Sequence, residues 1–85
     1  MKKIIDVTDA SGLDALLGGR VTLFCLNYIY TGTLTGVKST FVRLSDAAIV
    51  YETGAFSVKH WKDAQALPHD IYVMLACIES FGQVK

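Results

Sequence analysis

Eighty-five residues make one domain, 1–85, and a domain this short buries only a modest share of its own surface. Eight basic and eight acidic side chains give zero net charge, so the strongly basic footprint of a polyanion binder is absent. With two cysteines, two histidines and a 52% hydrophobic content, the chain suits neither a disulfide scaffold nor a metal centre; it suits partner subunits that cover surplus apolar surface.

In chain order, Lys3 to Val7 reads as a short strand or a tethered arm. Thr8, Asp9 and Ser11 offer N-cap oxygens, and Ser11 to Asp14 has capping-box spacing. Leu13, Leu16 and Leu17 then give one apolar face over about two turns of helix, and Gly18–Gly19 stops it. A first strand is expected over Val21 to Leu26, with a tight connection at Asn27–Tyr28. The second runs from Ile29 to Val37. Glycines inside a strand mark bulges or bends, so Gly32 or Gly36 should bend this one. Lys38, Ser39 and Thr40 form a turn.

The third strand covers Phe41 to Tyr51, with Val42, Leu44, Ala48 and Val50 as inward candidates and Asp46 interrupting them. Glu52–Thr53–Gly54 turns the chain. A fourth strand lies somewhere between Phe56 and Ala66, and Leu67–Pro68–His69–Asp70 is a turn. The last strand is read over Ile71 to Phe81. Ile71, Val73, Leu75 and Cys77 alternate with Tyr72, Met74, Ala76 and Ile78, so both faces are apolar. Such a strand is either central and covered on both faces or paired with a neighbouring subunit. The second alternative makes Ile71, Val73, Leu75, Cys77 and Ile78 subunit-interface residues.

Chemistry-bearing constellations are few. Cys25 and Cys77 sit in apolar runs, LFCLN and LACIE, and read as buried free thiols of a reducing compartment. His60 and His69 are nine residues apart and have no ligand-spaced partner, so neither a metal nor a cofactor is expected. Asp46, Glu52, Asp63, Asp70 and Glu79 fall on separate elements, and there is no GxSxG or P-loop. An enzyme is not expected. Lys59–His60–Trp61–Lys62 interleaves cations with an aromatic, as a surface that stacks bases and holds phosphates does; Trp61 packed inward with solvated lysines explains the same pattern. Lys38, Thr40, Phe41 and Arg43 are the other nucleic-acid candidates, again with a turn of solvated cations as the alternative. Tyr28 and Tyr30 read as rim or interface tyrosines. The longest apolar run, Ile71 to Ile78, is eight residues and too short to span a membrane; Lys2–Lys3 is followed by IIDVTDA rather than an apolar leader core. The expected location is cytoplasmic.

LDALLGGRVTLFCLN, TGTLTGV and LSDA, followed by VMLACIES, resemble in order the short helix, bent second strand, third-strand end and second motif of the Sm-like (LSm) family. The resemblance implies an all-β fold: a small, strongly bent five-stranded barrel with a short N-terminal α-helix. It also implies a homo-oligomeric ring, in which the fourth strand of one subunit pairs with the fifth of the next, and RNA or other single-stranded nucleic acid as a partner. WKDAQALP and IESFG are similar to Sm-like proteins carried by bacteriophages, which would place the chain in the host-cell cytoplasm. The departures bear on function. The family's loop between strands two and three typically offers Asp, an aromatic or His, then Met–Asn; here it reads Lys38, Ser39, Thr40, Phe41. Its second motif carries Arg–Gly or, in the bacterial RNA-chaperone branch, Tyr–Lys–His; here Met74, Leu75 and Ala76 stand there. Leucine and alanine cannot hydrogen-bond a base edge. The expected function is a ring that binds RNA without the usual uridine pocket; the alternative is a structural or protein-interaction ring of phage-related origin that binds none.

Overall fold

The computed structural model describes residues 12–85. The expected strand at Lys3 to Val7 and the capping residues up to Ser11 lie outside that range. Six strands follow one another: β1 (Arg20–Cys25), β2 (Ile29–Val37), β3 (Phe41–Glu52), β4 (Asp63–Ala66), β5 (Ile71–Met74) and β6 (Ile78–Gly82). The order across the sheet is β4-β3-β2-β1-β6, with β5 also paired to β3, and every pairing is antiparallel.

Two of the sheet's bulges lie between β2 and β3. Between β2 and β3 the register passes from Thr31↔Ala48 to Thr33↔Ser45, so Gly32 alone opposes Asp46 and Ala47. Asp46 takes up the extra residue in the left-handed region at φ 48°, and its carbonyl accepts from Arg20 Nη1 at 2.7 Å. The bulge turns Ala47 inward in place of Ala48. Val42, Leu44, Ala47 and Val50 are buried, whereas Ala48, expected inward from simple alternation, is only half-buried. Glycine at 32 permits the close approach: a β-carbon there would lie 3.1 Å from Leu44 Cβ and Ser45 O and 3.2 Å from Ala47 Cα. The second bulge adds Thr35 to β2, where Leu34↔Leu44 is followed by Gly36↔Arg43.

The expected last strand is broken. Leu75–Cys77 is a 3₁₀ turn between β5 and β6. The break occurs because the chain changes partner there. Leu75 N–H donates to Thr40 O (2.9 Å), at the foot of β3, and Cys77 O accepts from Leu26 N–H (3.1 Å), at the end of β1. Only these three residues carry the chain from one margin of the sheet to the other. Extended chain reaches roughly 3.3–3.6 Å per residue, so the sheet must curl until its margins approach. Among the described residues no ladder joins β5 to β6, and their sheet is open: six strands rather than a closed set of five. The margins are β4 and β5, end to end along β3, on one side and β6 on the other.

Two further expectations change. Where an α-helix was expected, the described residues hold a four-residue 3₁₀ turn, Leu13–Leu16, between Gly12 and the Gly18 stop at φ 87°. Glycines on both sides leave too few residues for an α-helix to propagate. Leu13 and Leu16 still pack against the core, while Leu17 is exposed. The fourth strand shrinks to Asp63–Ala66, and the residues before it form a long loop.

The core comprises Val21, Leu23, Leu34, Val42, Leu44, Ala47 and Val73. Thr31 is buried beside it and its hydroxyl is satisfied, donating to Val21 O at 3.0 Å. Many large apolar side chains lie outside, among them Leu26, Tyr28, Tyr72, Met74 and Phe81. No helix among the described residues is long and apolar enough to cross a membrane.

Candidate nucleic-acid interface

The β2–β3 turn and the facing β5 build one concave site. Lys38 N–H donates to Phe41 O at 2.8 Å and closes the turn, leaving the Lys38 side chain exposed. The register pairs Arg43 with Tyr72, which brings Tyr72 diagonally against Phe41. Their rings meet edge to face, centroids 5.6 Å apart at 85°. Arg43 is held by the second bulge. Its Nε donates to Thr35 Oγ1 and its Nη2 to Thr35 O, both at 3.0 Å. Thr35, the extra residue of that bulge, thus finds in the guanidinium a partner for its carbonyl. Thr35 Oγ1 also lies 3.0 Å from Ser45 Oγ. The result is a cavity of about 430 Å³ lined by Lys38, Phe41, Arg43, Tyr72, Thr35 and Leu17, among others.

This arrangement offers an aromatic pair, a fixed guanidinium with donors to spare and an exposed ammonium. An aromatic face next to cations can stack a base and hold its phosphate. Thr40 sits at the same end, but its carbonyl is committed to Leu75 N–H.

The remaining candidates are elsewhere. Lys59, Trp61 and Lys62 lie on the loop after β3, at the opposite end of that twelve-residue strand from Phe41. Lys62 pairs with Glu52 at 3.6 Å on the surface, a contact of little energetic weight. Trp61 packs edge-on against Phe56, with centroids 6.3 Å apart at 88°, and Lys85 Nζ sits 4.6 Å from its ring centroid. A stacking face on Trp61 is therefore already covered. The structure brings Lys38, Thr40, Phe41 and Arg43 together and keeps Lys59, Trp61 and Lys62 apart from them.

Sequence reasoning missed Tyr72 and Thr35 at this site. Alternation along β5 does put Tyr72 opposite Val73, but its meeting with Phe41 depends on the β3–β5 register.

The expected interface residues also divide. Val73 is 6% exposed and its side chain belongs to the core. Ile71, Leu75 and Ile78 are half-buried and lean on that core; Cys77 is exposed. The outward apolar residues of β5 are Tyr72 and Met74. Between the β1–β2 turn and β5 lies a mostly apolar cleft of about 490 Å³, lined by Leu26, Tyr28, Ile71, Met74, Cys25 and Cys77, among others. Both cysteines are free thiols, Cys25 half-buried and Cys77 exposed rather than buried. Burial pushes the Cys25 thiol above its ordinary value, with Cys77 and Glu79 adding to the effect. Burial likewise raises the Tyr30 phenol, helped by Cys25 and other neighbours. Among the described residues no group of three or more His, Cys, Asp or Glu side chains is placed to hold a metal ion.

Comparison of the chain with protein-family models, curated proteins and solved structures found no match.

Proposed function

We propose that the chain is a ring-forming subunit of Sm-like type that binds single-stranded nucleic acid, RNA first, at the end of the subunit where β2 turns into β3. The observation that carries this reading is the Phe41–Tyr72 pair flanked by Arg43 and Lys38 in one concavity. Binding there works by stacking and phosphate contact, not by reading a base edge. Assembly is supported by the two open margins. Among the described residues, β4 with β5 on one side and β6 on the other present unpaired backbone edges, with Tyr72, Met74 and Phe81 exposed along them. A strand of one subunit added to the opposite margin of the next would satisfy both edges and repeat around a ring. The resemblance in sequence, with its bent glycine-bearing second strand, supports the same assembly.

One observation favours a second reading, a structural or protein-interaction ring of phage-related origin. The 3₁₀ turn that follows β5 is Leu75–Cys77, whose side chains offer a base no donor stronger than the Cys77 thiol. Light scattering on the purified chain, with and without a labelled oligo-uridine or oligo-adenine, separates the readings. A ring mass that gains the oligonucleotide supports nucleic-acid binding. A ring that takes up none at low salt supports the structural reading, and a monomer refutes both.

A further inference from the structure

The loop between β3 and β4 holds a cluster that neither the core nor the proposed interface explains. Lys85 Nζ donates to Thr53 O at 2.7 Å and to His60 O at 2.9 Å. It lies 4.6 Å from the Trp61 ring centroid and 5.6 Å from that of Phe56. The walls support one another. Phe56 meets Trp61 edge to face and is backed by Phe24 at 6.5 Å. The loop is closed on itself by Lys62 N–H donating to Thr53 O (3.4 Å) and Val58 N–H donating to Ala55 O (3.0 Å). Gly54, at φ 69°, makes the bend next to Thr53, and a β-carbon there would come within 3.2 Å of Lys62 Cβ.

We infer that this loop is a built site for a primary ammonium group, occupied in cis by Lys85 and open to a primary amine from outside the chain when Lys85 is withdrawn. The ligand class follows from the donors and faces present. Two carbonyls converge on one nitrogen, so the ligand needs at least two N–H bonds on that atom. Two aromatic rings beside the same nitrogen select a cation. A quaternary ammonium has the charge without the donors. A guanidinium carries two N–H bonds on each terminal nitrogen, but it fixes them in one plane and spreads its charge over three nitrogens, so it suits a single point between two carbonyls and two rings less well than an ammonium whose donors rotate. A lysine side chain and a small aliphatic amine both meet the requirement.

Lys85 lies three residues beyond Gly82, the last residue of β6, which is paired to β1 on the far margin from β4. That tether holds the ammonium at high local concentration, so a free amine competes poorly while it is in place. The same contact covers the Trp61 ring and ties the long loop to the segment that follows β6.

The chain has one tryptophan, so its emission reports on the site alone. The wild type and Lys85→Met, which keeps an apolar stem without the charge, are titrated with n-butylammonium chloride, with tetramethylammonium chloride as control. Lys85→Met is expected to show a saturable change with n-butylammonium, at an apparent affinity roughly tenfold or more above the wild type, and a much smaller response to the control. Nα-acetyl-lysine amide as a third titrant separates the sources: preferential binding assigns the site to a lysine of a peptide, equal binding to amines in general. A linear response in Lys85→Met, or one matched by tetramethylammonium, overturns the inference. A second measurement covers the case in which the variant loop rearranges. In the wild type, the Lys85 Hε proton resonances should lie upfield of free lysine and return on Trp61→Leu; free-lysine shifts in the wild type overturn the inference as well.

Discussion

Replacing Gly32 by alanine tests what bends the sheet. An alanine methyl there would meet Leu44 Cβ and Ser45 O at 3.1 Å and Ala47 Cα at 3.2 Å. Two of the three atoms are backbone, held by the bulge at Asp46 and Ala47, so neither can move aside without shifting β3. Overpacking of this kind costs about 1–3 kcal/mol. The loss of unfolded-chain freedom on replacing glycine returns about 0.4–1 kcal/mol. The net expectation is destabilisation of about 1–2 kcal/mol. Gly36→Ala is the internal control. Its β-carbon would meet Arg43 Cβ, Nε and Cζ at 3.5, 3.7 and 3.9 Å, which is ordinary contact. It should be neutral or stabilising by up to about 1 kcal/mol. For a domain of this size each kcal/mol moves Tm by about 4–8 °C, so the two variants should melt on opposite sides of the wild type or nearly so. Circular dichroism melts at one fixed protomer concentration check this, since assembly of the proposed kind would make Tm concentration-dependent. Equal Tm values for Gly32→Ala and Gly36→Ala would refute the argument that Gly32 admits the β2–β3 approach.

Other substitutions separate core from margin and thiol from thiol. Met74→Asp, on the exposed side of β5, is expected to keep the wild-type circular dichroism spectrum and, if the proposed ring forms, to reduce the mass seen by light scattering; an unchanged assembly mass removes β5 from the proposed interface. Val73→Asp places an unpaired charge in the core and should lose the folded spectrum itself, at a cost of several kcal/mol on the scale of about 3–5 kcal/mol for a buried uncompensated charge. Under iodoacetamide followed by mass spectrometry, exposed Cys77 should be alkylated before half-buried Cys25. The rate at Cys25 should keep rising with pH beyond the ordinary thiol range, because a raised pKa leaves less thiolate at any given pH. A Cys25 that reacts as fast as Cys77 at pH 8 contradicts its placement.

Much of the sheet is legible in the chain because its first half is governed by local rules. Ile29 to Val37 is bounded by turn residues and matches β2 at both ends, and the glycines within it do coincide with bulges. Asp46 was visible as an interruption. Its consequence, the exchange of Ala48 for Ala47 in the core, was not, since alternation carries no signal for a one-residue bulge. The second half is governed by distant contacts. Ile71 to Ile78 is apolar at every position, so nothing in the sequence marks the point where the chain leaves β3 for β1. The hydrogen bonds that fix that point come from Thr40 and Leu26, far away in the sequence. The candidate site shows the same division. Lys38, Phe41 and Arg43 were readable from one turn. Tyr72 enters through strand register, Thr35 through a bulge, and Lys85 reaches Trp61 across the whole second half of the fold.

The central claim is tested most directly by the salt dependence of oligonucleotide binding, measured by fluorescence anisotropy with labelled oligo-uridine and oligo-adenine. On the proposed reading Lys38 and Arg43 would make two phosphate contacts per engaged subunit, and each contact to a single strand contributes about −0.7 to the slope of log K against log salt. The wild type is expected to bind at low salt with a slope of about −1.4 per engaged subunit. Lys38→Ala with Tyr72→Ala is expected to weaken binding and to flatten that slope by about half. No binding by the wild type at low salt, or an unchanged slope in the double variant, would contradict the account.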